Sequence, residues 1–305
     1  MLDRARERAV DLGYAAGWSL VKSAPAGMTS RAFEAVADAA SVRNGGGARQ
    51  LRKNLRRVVG PQLSELRLDR LVGDALRSYS RYWLETFRLP RMDKRAIAER
   101  VQTSGADNLG AALDRGRGAI VALPHMGNWD VAGVWLVANH GPFATVAERL
   151  KPESLFDRFV AYRESLGFEI LPLTGGARPP LEVLRERLRE NKVVCLVADR
   201  DLSRAGIEVD FFGEAARLPG GPALLAATTG AALLPVGMWF TPDGGWGQVI
   251  HPPVDVPAGR LKEQVPAITQ AVARSFETDI AAHPADWHML QRLWVADLPP
   301  RRAAQ

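Results

Sequence analysis

The chain has 305 residues, 47% of them hydrophobic and 24% charged, which is ample for a large folded core and is not the composition of a disordered chain. Its one cysteine, Cys195, excludes an internal disulfide framework and a CxxC metal knuckle, and fits a reducing compartment. The net charge of +6 is localised: residues 1–60 hold eleven Lys/Arg against five Asp/Glu, and the remainder is balanced.

No stretch has the roughly 18–20 apolar residues that span a bilayer. Asp3, Glu7 and Asp11 interrupt any signal-peptide pattern at the start of the chain. These features predict a peripheral protein on the cytoplasmic face of the cell membrane. Residues 4–102 read as helices with little strand signal. Val10, Tyr14, Trp18 and Val21 share one helical face, and Pro25 ends that helix. A second helix is expected over 29–41, followed by a Gly45-Gly46-Gly47 break. Residues 49–59 form a basic amphipathic helix, with Leu51, Leu55 and Val58 opposite its Arg and Lys. A longer apolar stripe (Leu68, Val72, Ala75, Tyr79, Tyr82, Phe87) runs through 66–88 to Pro90.

Near residue 116 the pattern changes to strand–helix alternation. Strands are predicted at 118–123, 142–147, 168–172, 193–198, 207–211 and 232–240, with helices at 129–139, 153–166, 179–190, 219–230 and 262–282. Such alternation indicates an α/β fold with a sheet covered on both faces. The chain is therefore read as one domain, with a helical N-terminal part (1–104) and an α/β catalytic core (105–305).

The most informative segment is His125-Met-Gly-Asn-Trp-Asp130, directly after the apolar strand 118–123 and Pro124. Ligands of open α/β sheets bind outside the carboxyl ends of strands. Five positions on a continuous helix differ by about 140°, so His125 and Asp130 cannot share a helical face. With His125 in the turn and Asp130 in the first helical turn, the carboxylate is expected to reach one imidazole nitrogen and leave the other as a general base. The alternative is a capping loop in which Asp130 serves the first-turn amides.

Several blocks occur in an order that resembles the bacterial lipid acyltransferase family, which includes the late acyltransferases of lipid A biosynthesis. They are 125–130; Glu148-Arg149-Leu-Lys-Pro152 with Arg163; Ala198-Asp199; Phe211-Phe-Gly213 through 218–226; Leu234-Pro-Val236; and Pro284-Ala-Asp-Trp287 with Arg292. The runs 11–18 and 78–90 look like the actinobacterial phosphatidylinositol mannoside branch in particular. The resemblance implies a mixed central sheet flanked by helices, of the glycerol-phosphate-acyltransferase type. It implies acyl-CoA as donor, a phosphatidylinositol mannoside or related glycolipid as acceptor, and no cofactor. His125 and Asp130 map to the catalytic pair, and Glu148, Arg149, Arg163, Asp199, Gly220 and Gly221 to substrate binding.

Bland readings stand beside these assignments. Glu148, Arg149 and Arg163 also suit a surface ion-pair set, Asp199 a strand-end turn and Gly220-Gly221 a tight turn. Cys195, mid-strand in an apolar run, reads as an inert buried thiol. No GxSxG elbow, P-loop or dinucleotide fingerprint appears. His283, Asp286 and His288 lack further metal ligands, so no metal site is expected. The competing functions are an acyl-thioester hydrolase and a non-catalytic protein that binds an anionic membrane surface. Nucleic-acid binding is not expected, because the basic helices carry no aromatic interleaving or known module. For membrane contact, the expectation is that Tyr14 and Trp18 enter the interface while Arg49, Arg52, Lys53, Arg56 and Arg57 face headgroups.

Overall fold

Wholly apolar runs become strands buried on both sides, and half-apolar runs at helical spacing become the helices that cover them. A computed structural model describes residues 21, 24–149, 152–201 and 205–299. Helices α1 (Ala26–Arg43), α2 (Gly46–Val59), α3 (Glu65–Arg88) and α4 (Lys94–Arg100) precede the first strand, β1 (Val101–Ser104). Then come α5 (Ala106–Asp114), β2 (Ala119–Leu123), α6 (Trp129–His140), β3 (Phe143–Ala147), α7 (Glu153–Glu164), β4 (Phe168–Pro172), α8 (Pro180–Arg189) and β5 (Val193–Val197). The chain continues through β6 (Ile207–Phe211), β7 (Glu214–Leu218), α9 (Gly221–Thr229), β8 (Ala232–Phe240), β9 (Trp246–Ile250) and α10 (Leu261–Ala282).

Seven strands form one sheet in the order β1-β9-β8-β2-β5-β3-β4. All neighbours run parallel except β8 and β9, so the sheet is mixed. Side chains alternate between its two faces. Ile120, Ala122 and Val194 join a core with Leu51 and Leu55 of α2, Leu68 of α3 and Phe276 of α10. Ala119, Val121 and Val193 point into a second core with Ile97, Leu109, Val134 and Tyr162. The α/β class with helices on both faces is as expected.

Several details differ from the expectations. Residues 101–104, expected to be helical, form β1 at the sheet edge, and β9 pairs with it in parallel. Both strands are short and carry polar residues, which weakens a strand signal. Their fit depends on Gln248, buried and donating to Thr103 Oγ1 at 2.9 Å. Strand β7 was also unexpected. It pairs with β6 through a two-residue turn in which Phe212 (φ 52°) and Gly213 (φ 78°) both have positive φ, as a tight hairpin requires. The stripe at Val10, Tyr14 and Trp18 lies outside the described residues. No described helix is long and apolar enough to cross a membrane.

Candidate active site

His125, Asp199 and Glu148 leave the carboxyl ends of β2, β5 and β3, which are adjacent parallel strands. Sheet order thus brings together three groups that lie up to 74 positions apart in the chain. After Leu123, the turn through Pro124 is held by the C-terminal segment. His288 N donates to His125 O (2.8 Å), Gly127 N donates to Asp286 O (2.8 Å), and Met126 bridges Trp287. Gly127 has φ 57°, and a Cβ there would fall 2.6 Å from the Met238 carbonyl oxygen, so only glycine fits. Asn128 then caps α6, its Oδ1 accepting from Val131 N at 3.2 Å.

Asp199, not Asp130, is the carboxylate partner of His125. Asp199 Oδ1 lies 2.6 Å from His125 Nδ1, and Oδ2 accepts from His125 N and Trp287 Nε1, each at 2.9 Å. Asp199 is fully buried. Burial pushes its carboxyl up, but the electrostatic interaction with His125 and the hydrogen bonds from His125 and Trp287 pull harder, leaving it below the usual range. The carboxylate therefore fixes Nδ1 as the protonated nitrogen and leaves Nε2 available as an acceptor.

The expected Asp130–His125 contact is corrected by geometry. Asp130 points from the first turn of α6 into the second core, where Oδ1 accepts from Arg163 Nε at 2.9 Å. Its Oδ2 has looser contacts with Tyr82, Thr86 and Tyr162 at 3.4–3.5 Å. The capping alternative also falls, because Asn128 caps this helix. Burial disfavours the charge of Arg163, but Asp130 more than compensates, and the guanidinium stays firmly protonated.

His125, Glu148 and Arg163 line a cavity of about 260 Å³ with Tyr82, Trp129 and His288. Tyr82 stacks on Trp129 with ring centroids 3.9 Å apart, and Trp129 meets His125 edge-on at 5.4 Å. Glu148 pairs with Arg200 at 3.4 Å on the cavity wall. Arg149 instead turns to Glu153 (Nε–Oε1 2.9 Å) and to the carbonyl of Gly175, so for this residue the surface ion-pair reading holds. Gly220 and Gly221 open α9 away from the cavity lining. A Cβ on Gly220 would meet Ile207 Cγ1 at 2.9 Å, which makes that glycine a packing requirement. Cys195 sits mid-strand in β5, and burial pushes its thiol up to about 12.

Sequence reasoning missed His288. Its neighbours Trp287 and Met289 are fully buried and read as packing, but the same chain reversal that buries them puts His288 beside His125. Among the described residues, no cluster of His, Cys, Asp and Glu could hold a metal ion.

A family described as bacterial lipid A biosynthesis acyltransferase matches residues 4–296. A protein of Mycolicibacterium smegmatis named phosphatidylinositol mannoside acyltransferase is 58% identical over 295 residues, covering 97% of this chain and 94% of the relative. A protein of the same name from Mycobacterium tuberculosis is 56% identical over 299 residues, covering 97% and 92%. With a match over nearly its whole length and relatives above half identity, the chain belongs to the bacterial lipid A biosynthesis acyltransferase family and is an acyltransferase.

Proposed function

We propose that the protein moves a long-chain fatty acyl group from acyl-CoA to a mannose hydroxyl of a phosphatidylinositol mannoside, with His125 as general base. The observation that carries this reading is the His125–Asp199 pair at the edge of the cavity. His125 Nε2 takes the hydroxyl proton as the oxygen forms its bond to the thioester carbonyl carbon. The resulting imidazolium lies against the Asp199 carboxylate, which stabilises it. When the tetrahedral adduct collapses, the C–S bond breaks and His125 returns the proton to the leaving thiolate. A thiolate leaves readily, so no acyl-enzyme is needed, consistent with the high pKa of Cys195.

Arg163, fixed by Asp130, supplies a permanent positive charge in the cavity wall for a phosphate or the developing oxyanion. Glu148 can accept hydrogen bonds from sugar hydroxyls. Asp130 thus acts on the reaction by holding Arg163 rather than His125. A lipid acceptor also requires contact with the membrane surface, which we assign to the cytoplasmic face.

The test is mass spectrometry of lipid products after the protein is mixed with acyl-CoA and mannosylated phosphoinositides. The expected product gains one acyl chain on mannose. His125→Ala should lower transfer by about 10²–10⁴-fold, the usual contribution of a positioned base. Near-normal turnover by that variant, folded, would sink the mechanism. Thiol release from acyl-CoA that is as fast without glycolipid as with it would instead identify a hydrolase.

A further inference from the structure

His288 is buried to 4% exposure on the C-terminal segment, and its ring lines the same cavity as His125. Its Nε2 lies 2.9 Å from Ser78 Oγ on α3, and Ser78 Oγ lies 2.6 Å from Asp286 Oδ1. Asp286 Oδ2 accepts from Phe240 N at 3.0 Å. Burial raises the Asp286 carboxyl, while the hydrogen bonds from Ser78 and Phe240 favour its charged form. A carboxylate only accepts, so the Ser78 proton goes to Asp286, and the serine oxygen accepts from His288 Nε2–H. This chain of donors fixes the tautomer. Nδ1 is left with a bare lone pair, buried and without a partner. Burial and the neighbouring His125 push the imidazole down to about 3, so the ring is neutral.

A buried acceptor without a donor costs stability, and its persistence calls for an explanation. No described group of the chain supplies a donor to this nitrogen, and the ring that carries it lines the cavity, so a molecule seated there is the source of the missing donor. Resting on the glycolipid reading above, we infer that His288 is a substrate-binding residue whose Nδ1 accepts a hydrogen bond from a sugar hydroxyl beside the one attacked, with Ser78 and Asp286 as positioning residues. The His288 N–H bond to the His125 carbonyl places this acceptor next to the base along the same turn. A site built this way selects acceptors that present a second hydroxyl donor and disfavours simple alcohols.

Two measurements test it. In the intact protein labelled with ¹⁵N-histidine, titration with a short-chain phosphatidylinositol mannoside should move the unprotonated Nδ1 resonance of His288 to lower frequency. Kinetics should separate two amide replacements. The amide of His288→Asn occupies the place of Nδ1, whereas that of His288→Gln reaches the place of Nε2. His288→Gln and His288→Phe should lose about tenfold in kcat/KM for the glycolipid, a loss in the range of one buried hydrogen bond. His288→Asn should recover most of it, and KM for acyl-CoA should stay unchanged in all three. The inference fails if the His288 resonance stays still while His125 responds, or if the Asn and Gln variants are equal. It also fails if KM for acyl-CoA rises in step, since the residue would then serve only the fold. A parent protein that neither binds nor acylates the glycolipid would overturn the function itself, an outcome separate from these.

Discussion

Asp199 feels burial and charge in opposite directions, and charge wins, so its carboxyl titrates below the ordinary value of about 3.9. Its stabilising contribution is complete above that ordinary value and is lost as pH falls through the lower folded-state value. In urea unfolding measured over a pH series, Asp199→Asn should lack this acid-dependent component. The same substitution leaves an imidazolium with no carboxylate beside it, so transfer should fall by about 10²–10⁴-fold at neutral pH. Asp130→Asn acts elsewhere. It leaves Arg163, whose side chain is only 20% exposed, without its countercharge. The expected cost is on the order of 3 kcal/mol in urea unfolding. Transfer should fall as well, while the His125 resonances stay in place, because His125 does not depend on Asp130.

The two N-terminal helices α2 and α3 are part of the site's construction. Buried Asn54 of α2 donates to the carbonyls of Met289 (2.7 Å) and Gln291 (2.9 Å), pinning the segment that carries Trp287 and His288. α3 supplies Ser78, Tyr79, Tyr82 and Trp83 around the cavity. Four of the five basic residues on α2 also have partners within the chain, which gives this face a structural use beside the headgroup contact expected of it. Arg52 and Arg56 share Glu65, Arg52 also pairs with Asp69, Arg57 pairs with Glu214 and Asp297, and Arg49 donates to the Asn44 carbonyl. Arg57 also lies over the Trp294 ring at 4.7 Å. Arg57→Ala should therefore cost about 1–3 kcal/mol in urea unfolding. It should leave co-sedimentation with anionic vesicles close to that of the parent. A strong loss of vesicle binding at unchanged stability would favour the headgroup role.

The cavity wall draws on α3, on α7, on strands β3, β4 and β5, on the turn after β2 and on the C-terminal segment, so occupancy of the site couples distant parts of the chain. A non-transferable thioether analogue of acyl-CoA, if it binds there, stabilises the folded protein by mass action, about 2.7 kcal/mol at a hundred times its Kd. Hydrogen exchange should then slow together in 78–88, 125–130 and 286–292. Protection confined to the strand ends would place the donor outside this cavity.

The sequence by itself determined the α/β class, most strands from β2 onward, the family and the position of His125, because each is written locally. An apolar run of five residues reads as a buried strand, and a histidine after it reads as a residue at a sheet's carboxyl edge. Short polar strands such as β1 and β9 escaped, since their fit comes from partners in the opposite strand. The partner of His125 could not be read locally either. The spacing to Asp130 suggested a contact, but the direction of a side chain in the first turn of a helix depends on what packs there. Arg163, 33 positions away, drew Asp130 into the core. Tertiary structure alone decided that Asp199 stands beside His125, because β5 is the neighbour of β2. It also decided that the basic helix meets acids of its own chain, and that His288 comes to the cavity with an unpaired nitrogen. These are long-range pairings, which sheet order and chain reversal set and no local pattern records.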